Sequence, residues 1–279
     1  MKSLNQLIIT LMACLFSIQA WAQSGKLFNT DNQLSSNLAT QVFQDKSGFI
    51  WIATRNGLNT YDGYHITVMK KDMSIFLGLK SNYINSIAQD DKGHILLGTN
   101  NSLLEFTGSE FHKIPMLDSK GEELATYVKQ VYPLKNKDVA VATSGYGIMI
   151  KKKDAQECHA IKGEVEKLKY IHKLLEDKRG RLWIITEDGK LYRKETNGRV
   201  TSHFVGTEGV DAQDIQQDVL GNLYLASKNQ GVHLLRAGSN VFTRISSIGN
   251  LPIENIYISR NNKLYIGCDG LGIYVYDPQ

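Results

Sequence analysis

The chain has 279 residues, 42% of them apolar and 22% charged, with a formal net charge of +4. Acids and bases are mixed along its whole length, whereas a nucleic-acid binder gathers Lys and Arg on one face or stripe, so nucleic acid is excluded as a partner. A chain of this size buries its own core, and its three cysteines, Cys14, Cys158 and Cys268, imply neither a disulfide framework nor a metal centre, since no Cys-x-x-Cys or His-x-His spacing occurs.

The first 22 residues read as a secretory signal. Lys2 supplies the positive start, Leu7 to Ile18 an apolar stretch, and Ala20-Trp21-Ala22 a small-x-small cleavage site before Gln23. The stretch falls short of the ~20 apolar residues of a spanning helix. A competing reading makes Leu11-Met12-Ala13-Cys14 a lipoprotein site with Cys14 acylated, but its apolar segment would be cramped. No later segment is long and apolar enough to cross a bilayer. The expectation is export to the periplasm or cell surface, with no transmembrane segment in the mature chain.

From about residue 34 the chain repeats. Taking Gly48 as a turn anchor, the equivalent positions are Gly93, Lys137, Gly180, Gly221 and Asn262, spaced 45, 44, 43, 41 and 41 residues apart. Six positions earlier stand Val42, Ile87, Val131, Leu174, Ile215 and Ile256, all aliphatic. Two positions after the anchor come Ile50, Ile95, Val139, Leu182, Leu223 and Leu264, and six after it Thr54, Thr99, Thr143, Thr186, Ser227 and Cys268. The column between the aliphatics (Trp51, Leu96, Ala140, Trp183, Tyr224, Tyr265) is apolar too. Period-two strands apolar on both faces are buried on both faces.

Turns such as Asp45-Lys46-Ser47-Gly48 and Asp177-Lys178-Arg179-Gly180 mark a first hairpin, where Asp bonds nearby amides and Gly takes positive φ. A second glycine turn follows at Gly57, Gly147, Gly189, Gly231 and Gly272, then strands such as Leu58 to Tyr61, Ile66 to Met69 and Ile273 to Tyr276. Glu164 to Asp177 looks helical by propensity, but Leu174 aligns its second half with the strands. Four strands per repeat of this length predict an all-β fold, a β-propeller of six four-stranded blades over residues 23–279. The sixth repeat stops one strand short, and Lys26 to Thr30 is expected to close the ring as the outermost strand of the last blade. Lys151-Lys152-Lys153 is read as a solvated strand edge, and Trp51 and Trp183 as core rather than a sugar platform.

The segments Gln44 to Thr54, Gly57 to Gly63 and Gly180 to Thr186, with Leu34-Ser35-Ser36-Asn37 echoed by Leu79-Lys80-Ser81-Asn82, closely resemble the two-component regulator propeller repeat. The resemblance is weaker in the third repeat, where Lys137 replaces glycine and Pro133 interrupts the pattern. It implies the periplasmic sensor part of a hybrid histidine kinase of the Bacteroidetes type, where propellers are usually seven-bladed and often paired, and where kinase and regulator domains follow. Here six repeats occur, and none of the seven histidines stands in the His-Glu context of a phosphoacceptor. The chain is therefore expected to sense and not to phosphorylate.

Function is expected at the mouth, where the inner strand begins and the second hairpin turns. Candidate ligand-binding residues are Asn37, Arg55, Asn56, Tyr83, Asn100, Tyr127, Tyr146, Tyr170, Asp188, Asn229 and Asp269. Rings stack on sugar faces and amides bond hydroxyls, so a glycan or another small ligand fits, with a protein partner as the alternative. The rival class is an exported lyase, for which His172 and Glu254 would be the acid/base pair. No cofactor, metal or catalytic residue is otherwise indicated.

Overall fold

The computed structural model describes residues 27–71, 73, 78–203 and 209–278. The expected signal segment, with Lys2, Cys14 and the cleavage site after Ala22, lies outside the described residues, as does Lys26. No helix among the described residues is long and apolar enough to cross a membrane.

Six antiparallel sheets follow one another along the chain, one per repeat. The first pairs Ala39–Gln44, Ile50–Thr54, Gly57–Tyr61 and Ile66–Met69 in sequence order. The innermost strands of the others are Ile84–Gln89, Val128–Pro133, Ile171–Glu176, Ala212–Gln217 and Ile253–Ile258, and each touches the next. The molecule is a six-bladed β-propeller. The third blade gains a short parallel fifth strand, Met116–Leu117, against Cys158–Ala160. Glu164–Lys167 is a single 3-10 turn, and the strand expected after it is Ile171–Glu176.

Five apolar clusters form the core, each shared by two adjacent blades. Trp51 and Trp183 are both buried in them. The repeated aspartate is the clasp of the first hairpin in four blades, while Leu134 and Ser259 stand in its place in the third and sixth. In the fourth blade Asp177 Oδ1 accepts the Arg179 and Arg181 amides at 2.9 and 3.0 Å, and Oδ2 accepts Trp183 Nε1 at 2.9 Å. Asp45 does the same for Ser47, Phe49 and Trp51 Nε1, and Asp218 for Leu220, Asn222 and the Asn222 side chain.

Lys137 fills the anchor position in the left-handed region, φ 72°, where an L side chain crowds the backbone. Its Nζ reaches Asp91 only at 3.7 Å on the surface, which adds little. Lys137→Gly should therefore raise stability by about 1 kcal/mol in denaturant melts. An unchanged or lowered midpoint would contradict this account of the turn.

Two expectations are corrected. The last blade has three strands, Ile253–Ile258, Leu264–Cys268 and Gly272–Tyr276, and among the described residues no closing strand from the N-terminus joins it. Thr30–Asn32 forms a 3-10 turn, and Phe28 packs edge-on against Tyr61 of the first blade, 5.0 Å between centroids. Local packing onto the nearest blade takes the place of long-range closure. The basic run is also not one solvated edge: Lys151 ends an interior strand and is buried, while Lys152 pairs with Asp138 at 2.8 Å. Cys158 and Cys268 are free thiols in different blades.

Candidate ligand-binding mouth

Each innermost strand carries a register shift at the same place, between residues nine and seven positions before the anchor. The unpaired residue in each blade is Thr40, Asn85, Lys129, His172, Gln213 or Glu254. A bulge of this kind turns a side chain out of the ladder and is often found beside functional sites. Beside these residues lie the ones just past the second strand. The amides of Arg55, Ser144, Glu187, Lys228 and Asp269 donate to the carbonyls of Leu38, Tyr127, Tyr170, Asp211 and Pro252, where the inner strands begin. The two sets stand side by side at the end of the blades where the inner strands begin.

Their side chains link blade to blade. The Arg55 guanidinium lies over the Tyr83 ring at 5.7 Å. Tyr83 meets Tyr127 edge to face at 6.1 Å, and the Lys129 ammonium sits 4.8 Å over the Tyr127 ring. Lys129 pairs with Glu187 at 3.4 Å, Lys173 with Asp214 at 3.2 Å and Lys228 with Glu254 at 3.3 Å. The Tyr127 hydroxyl donates to Asn85 Oδ1 at 2.9 Å. Burial, with the bond to Tyr83, pushes the Tyr127 phenol up to about 12, so it stays protonated and can donate.

The structure brings Arg55, Tyr83 and Tyr127 together at the mouth, and leaves Tyr146 and Tyr170 exposed near it. Several other candidates build turns instead. Asn37 Oδ1 accepts the Thr30 amide, and Asn100 Oδ1 accepts the Ser81 hydroxyl, each at 2.8 Å. Asn229 accepts from the Ser227 hydroxyl and the Asp211 amide. Asp188 takes the Thr186 hydroxyl and the Lys190 ammonium, which hold its carboxyl below the usual range. Asn56 enters its turn through its amide to Thr54 Oγ1, and Asp269 through its amide to Pro252. Asn85, Lys129, Glu187 and Lys228 were missed, although they stand in two repeat columns that could have been read off.

His172 and Glu254 do not form a pair. Glu254 is held by Lys228, while burial, with Lys173 and Lys129 nearby, lowers the His172 pKa and keeps the ring neutral. Asp90, His94 and Glu105 also cluster in the second blade. There the clasp aspartate's outer oxygen faces His94 Nδ1 at 3.6 Å, in the place that Arg181, a side-chain donor, takes in the fourth blade.

Three segments, residues 33–56, 78–101 and 167–188, match the family model described as Two component regulator propeller. The chain carries two-component regulator propeller repeats. Among solved structures, the extracellular domain of a hybrid two component system from B. thetaiotaomicron aligns with TM-score 0.78 and 24% identity over 91% of this chain and 35% of that one. A second such domain from the same organism gives TM-score 0.75 and 16% identity over 87% of this chain and 35% of its own. Virginiamycin B lyase from Staphylococcus aureus, solved in an inactive form with Quinupristin, gives 0.69 and 12% over 90% of this chain and 84% of the lyase. At these identities the likeness is one of fold. The propeller spans about a third of the extracellular domains it matches, 35% in both. A search of curated proteins gives no match.

Proposed function

We propose that this chain is an exported sensor propeller whose mouth binds a polyhydroxylated ligand, such as a glycan fragment, without converting it. The observation that carries the reading is the ladder Arg55–Tyr83–Tyr127–Lys129 across three blades. It offers ring surface beside fixed donors and acceptors, and the acid and base groups nearby are engaged with one another rather than converging on one point. In this reading the signal segment is cleaved after Ala22, and occupancy of the mouth is passed to a histidine kinase of the hybrid two-component type. The lyase-like fold supplies the rival reading, an enzyme.

Sensing at micromolar affinity needs about −8 kcal/mol. Two stacked rings at roughly 0.5–1.5 kcal/mol each beyond their burial, with several hydrogen bonds at about 1 kcal/mol net, supply much of it. Calorimetry against a panel of oligosaccharides, with product analysis of the same samples, should give saturable heat with intact ligand. Tyr83→Ala/Tyr127→Ala should weaken binding at least ~10-fold, about 1.4 kcal/mol, with the fold retained. Products accumulating in proportion to protein would replace this reading with the enzyme, and no heat with any glycan would replace it with a protein partner.

A further inference from the structure

In the first, fourth and fifth blades the outer oxygen of the clasp aspartate has a side-chain donor. Trp51 Nε1 reaches Asp45 Oδ2 at 2.8 Å, Trp183 Nε1 and Arg181 Nε reach Asp177 Oδ2 at 2.9 and 2.6 Å, and Asn222 Nδ2 reaches Asp218 Oδ2 at 2.8 Å. The second blade breaks this rule. Leu96 stands where a tryptophan would donate, and the group facing Asp90 Oδ2 is His94 Nδ1 at 3.6 Å. The same nitrogen faces Glu105 Oε1 at 3.2 Å. A ring nitrogen carries at most one hydrogen, so it cannot satisfy both oxygens.

The Asp90 side chain is 5% exposed and that of Glu105 12%. A carboxylate oxygen buried to this degree and short of a donor is costly unless a cation meets it. Two ammonium groups nearby are turned elsewhere. Lys92 pairs with Asp154 at 3.1 Å, and Lys46 bonds the main-chain carbonyl of Asp90 at 3.1 Å rather than its carboxylate.

The spacing of the cluster suits a metal ion. One ligand atom from each of Asp90, His94 and Glu105 lies within 4.8 Å of the others. Nitrogen and oxygen ligands about 2.1 Å from a tetrahedral metal stand about 3.4 Å apart, and the two separations at His94, 3.2 and 3.6 Å, bracket that value. Asp90 is also held from behind. Its Oδ1 accepts the Lys92 and His94 amides at 2.9 and 2.8 Å, which fixes where Oδ2 stands, as outer bonds do for metal ligands. A fourth donor stands one strand further out. Register pairs Glu105 with His112 across the strands Leu103–Phe106 and Phe111–Ile114. Directly opposed residues share a sheet face with Cβ atoms about 5 Å apart, and His112 is exposed, so its ring has room to turn toward the carboxylate.

We propose that Asp90, His94, Glu105 and His112 form a binding site for a divalent transition-metal ion of the zinc class. Two imidazoles and two carboxylates are a donor set that such an ion takes, whereas calcium and magnesium take oxygen alone. The ion neutralises the two carboxylates and ties the first hairpin of the second blade to its two outer strands. The site lies at the end of the blade away from the mouth and does not depend on what the mouth binds.

The full chain, stripped with EDTA, should take up a single zinc ion by calorimetry and melt higher with the metal than without it. Cobalt(II) should bind in its place and give the intense visible absorption of a tetrahedral site. Glu105→Gln, His94→Gln and His112→Ala should each weaken zinc binding at least ~10-fold, while melting in EDTA close to the wild type. His159→Ala removes the exposed imidazole beside Glu157 and should leave the affinity unchanged. Zinc uptake that survives Glu105→Gln or His94→Gln, or that falls with His159→Ala, overturns the site. An affinity unchanged in His112→Ala overturns the four-ligand set. A wild-type chain that takes up neither zinc nor cobalt overturns the proposal and leaves His94 as a bridge between two carboxylates.

Discussion

Trp183→Ala is expected to destabilise the protein by about 3–5 kcal/mol, the range for deleting a large core ring. The side chain has no exposed surface. Its ring lies 5.0 Å from His203 and meets Phe242 edge-on at 5.9 Å, with the Arg181 and Arg193 guanidiniums 5.6 and 5.4 Å from its centre. Its indole N–H donates to Asp177. Truncation opens a cavity between the fourth and fifth blades and orphans that acceptor site at once. Urea unfolding measures the loss directly. A change below about 1 kcal/mol, with ligand binding abolished, would reassign the tryptophan to a recognition role.

The second large effect lies in the clasp that tryptophan shares. Asp177 is fully buried, and its Oδ2 also accepts Arg181 Nε at 2.6 Å. Asp177→Ala leaves Trp183 Nε1, two backbone amides and a largely buried guanidinium without their acceptor. Removing one partner of such a pair costs roughly 3 kcal/mol. Burial by itself would raise the Asp177 pKa, but the bonds from Trp183 and from the Arg181 amide and guanidinium outweigh it and hold the carboxyl below the usual range. A depressed carboxyl stabilises the fold above its unfolded value of about 3.9 and loses that contribution as pH falls through the folded value.

His203, beneath the same tryptophan, adds an earlier loss on acidification. Burial, with Arg193 nearby, pulls it down to about 4. Its neutral form is favoured by folding, so stability is full above its unfolded pKa of about 6.5 and declines as pH falls toward 4. Melting temperature should thus fall in two stages, the first between about pH 6.5 and 4 and the second below about 4. The first stage should shrink in His203→Leu and the second in Asp177→Ala. A midpoint flat from pH 7 to 4 would contradict the assignment of His203.

The sequence alone determined the blade. The aliphatic columns, the Asp–Gly turns and the apolar residues at Trp51 and Trp183 recur because consecutive blades pack against one another in the same way, so one local pattern is repeated where one environment is repeated. It also pointed to the end of the blades where inner strands begin, since loops gather there. Only the tertiary structure decided which mouth residues converge. Asn37, Asn100 and Asn229 have the chemistry of ligand contacts, yet their side chains are engaged by Thr30, Ser81 and Ser227, while Lys129 and Glu254 stand at a register shift that shows only once the strands are paired. It alone decided the ends as well. Lys26 to Thr30 read as a closing strand because an unpaired edge is costly, but Phe28 meets Tyr61 of the first blade. Burial between blades depends on which sheet stands next in space and not on the order of residues within it.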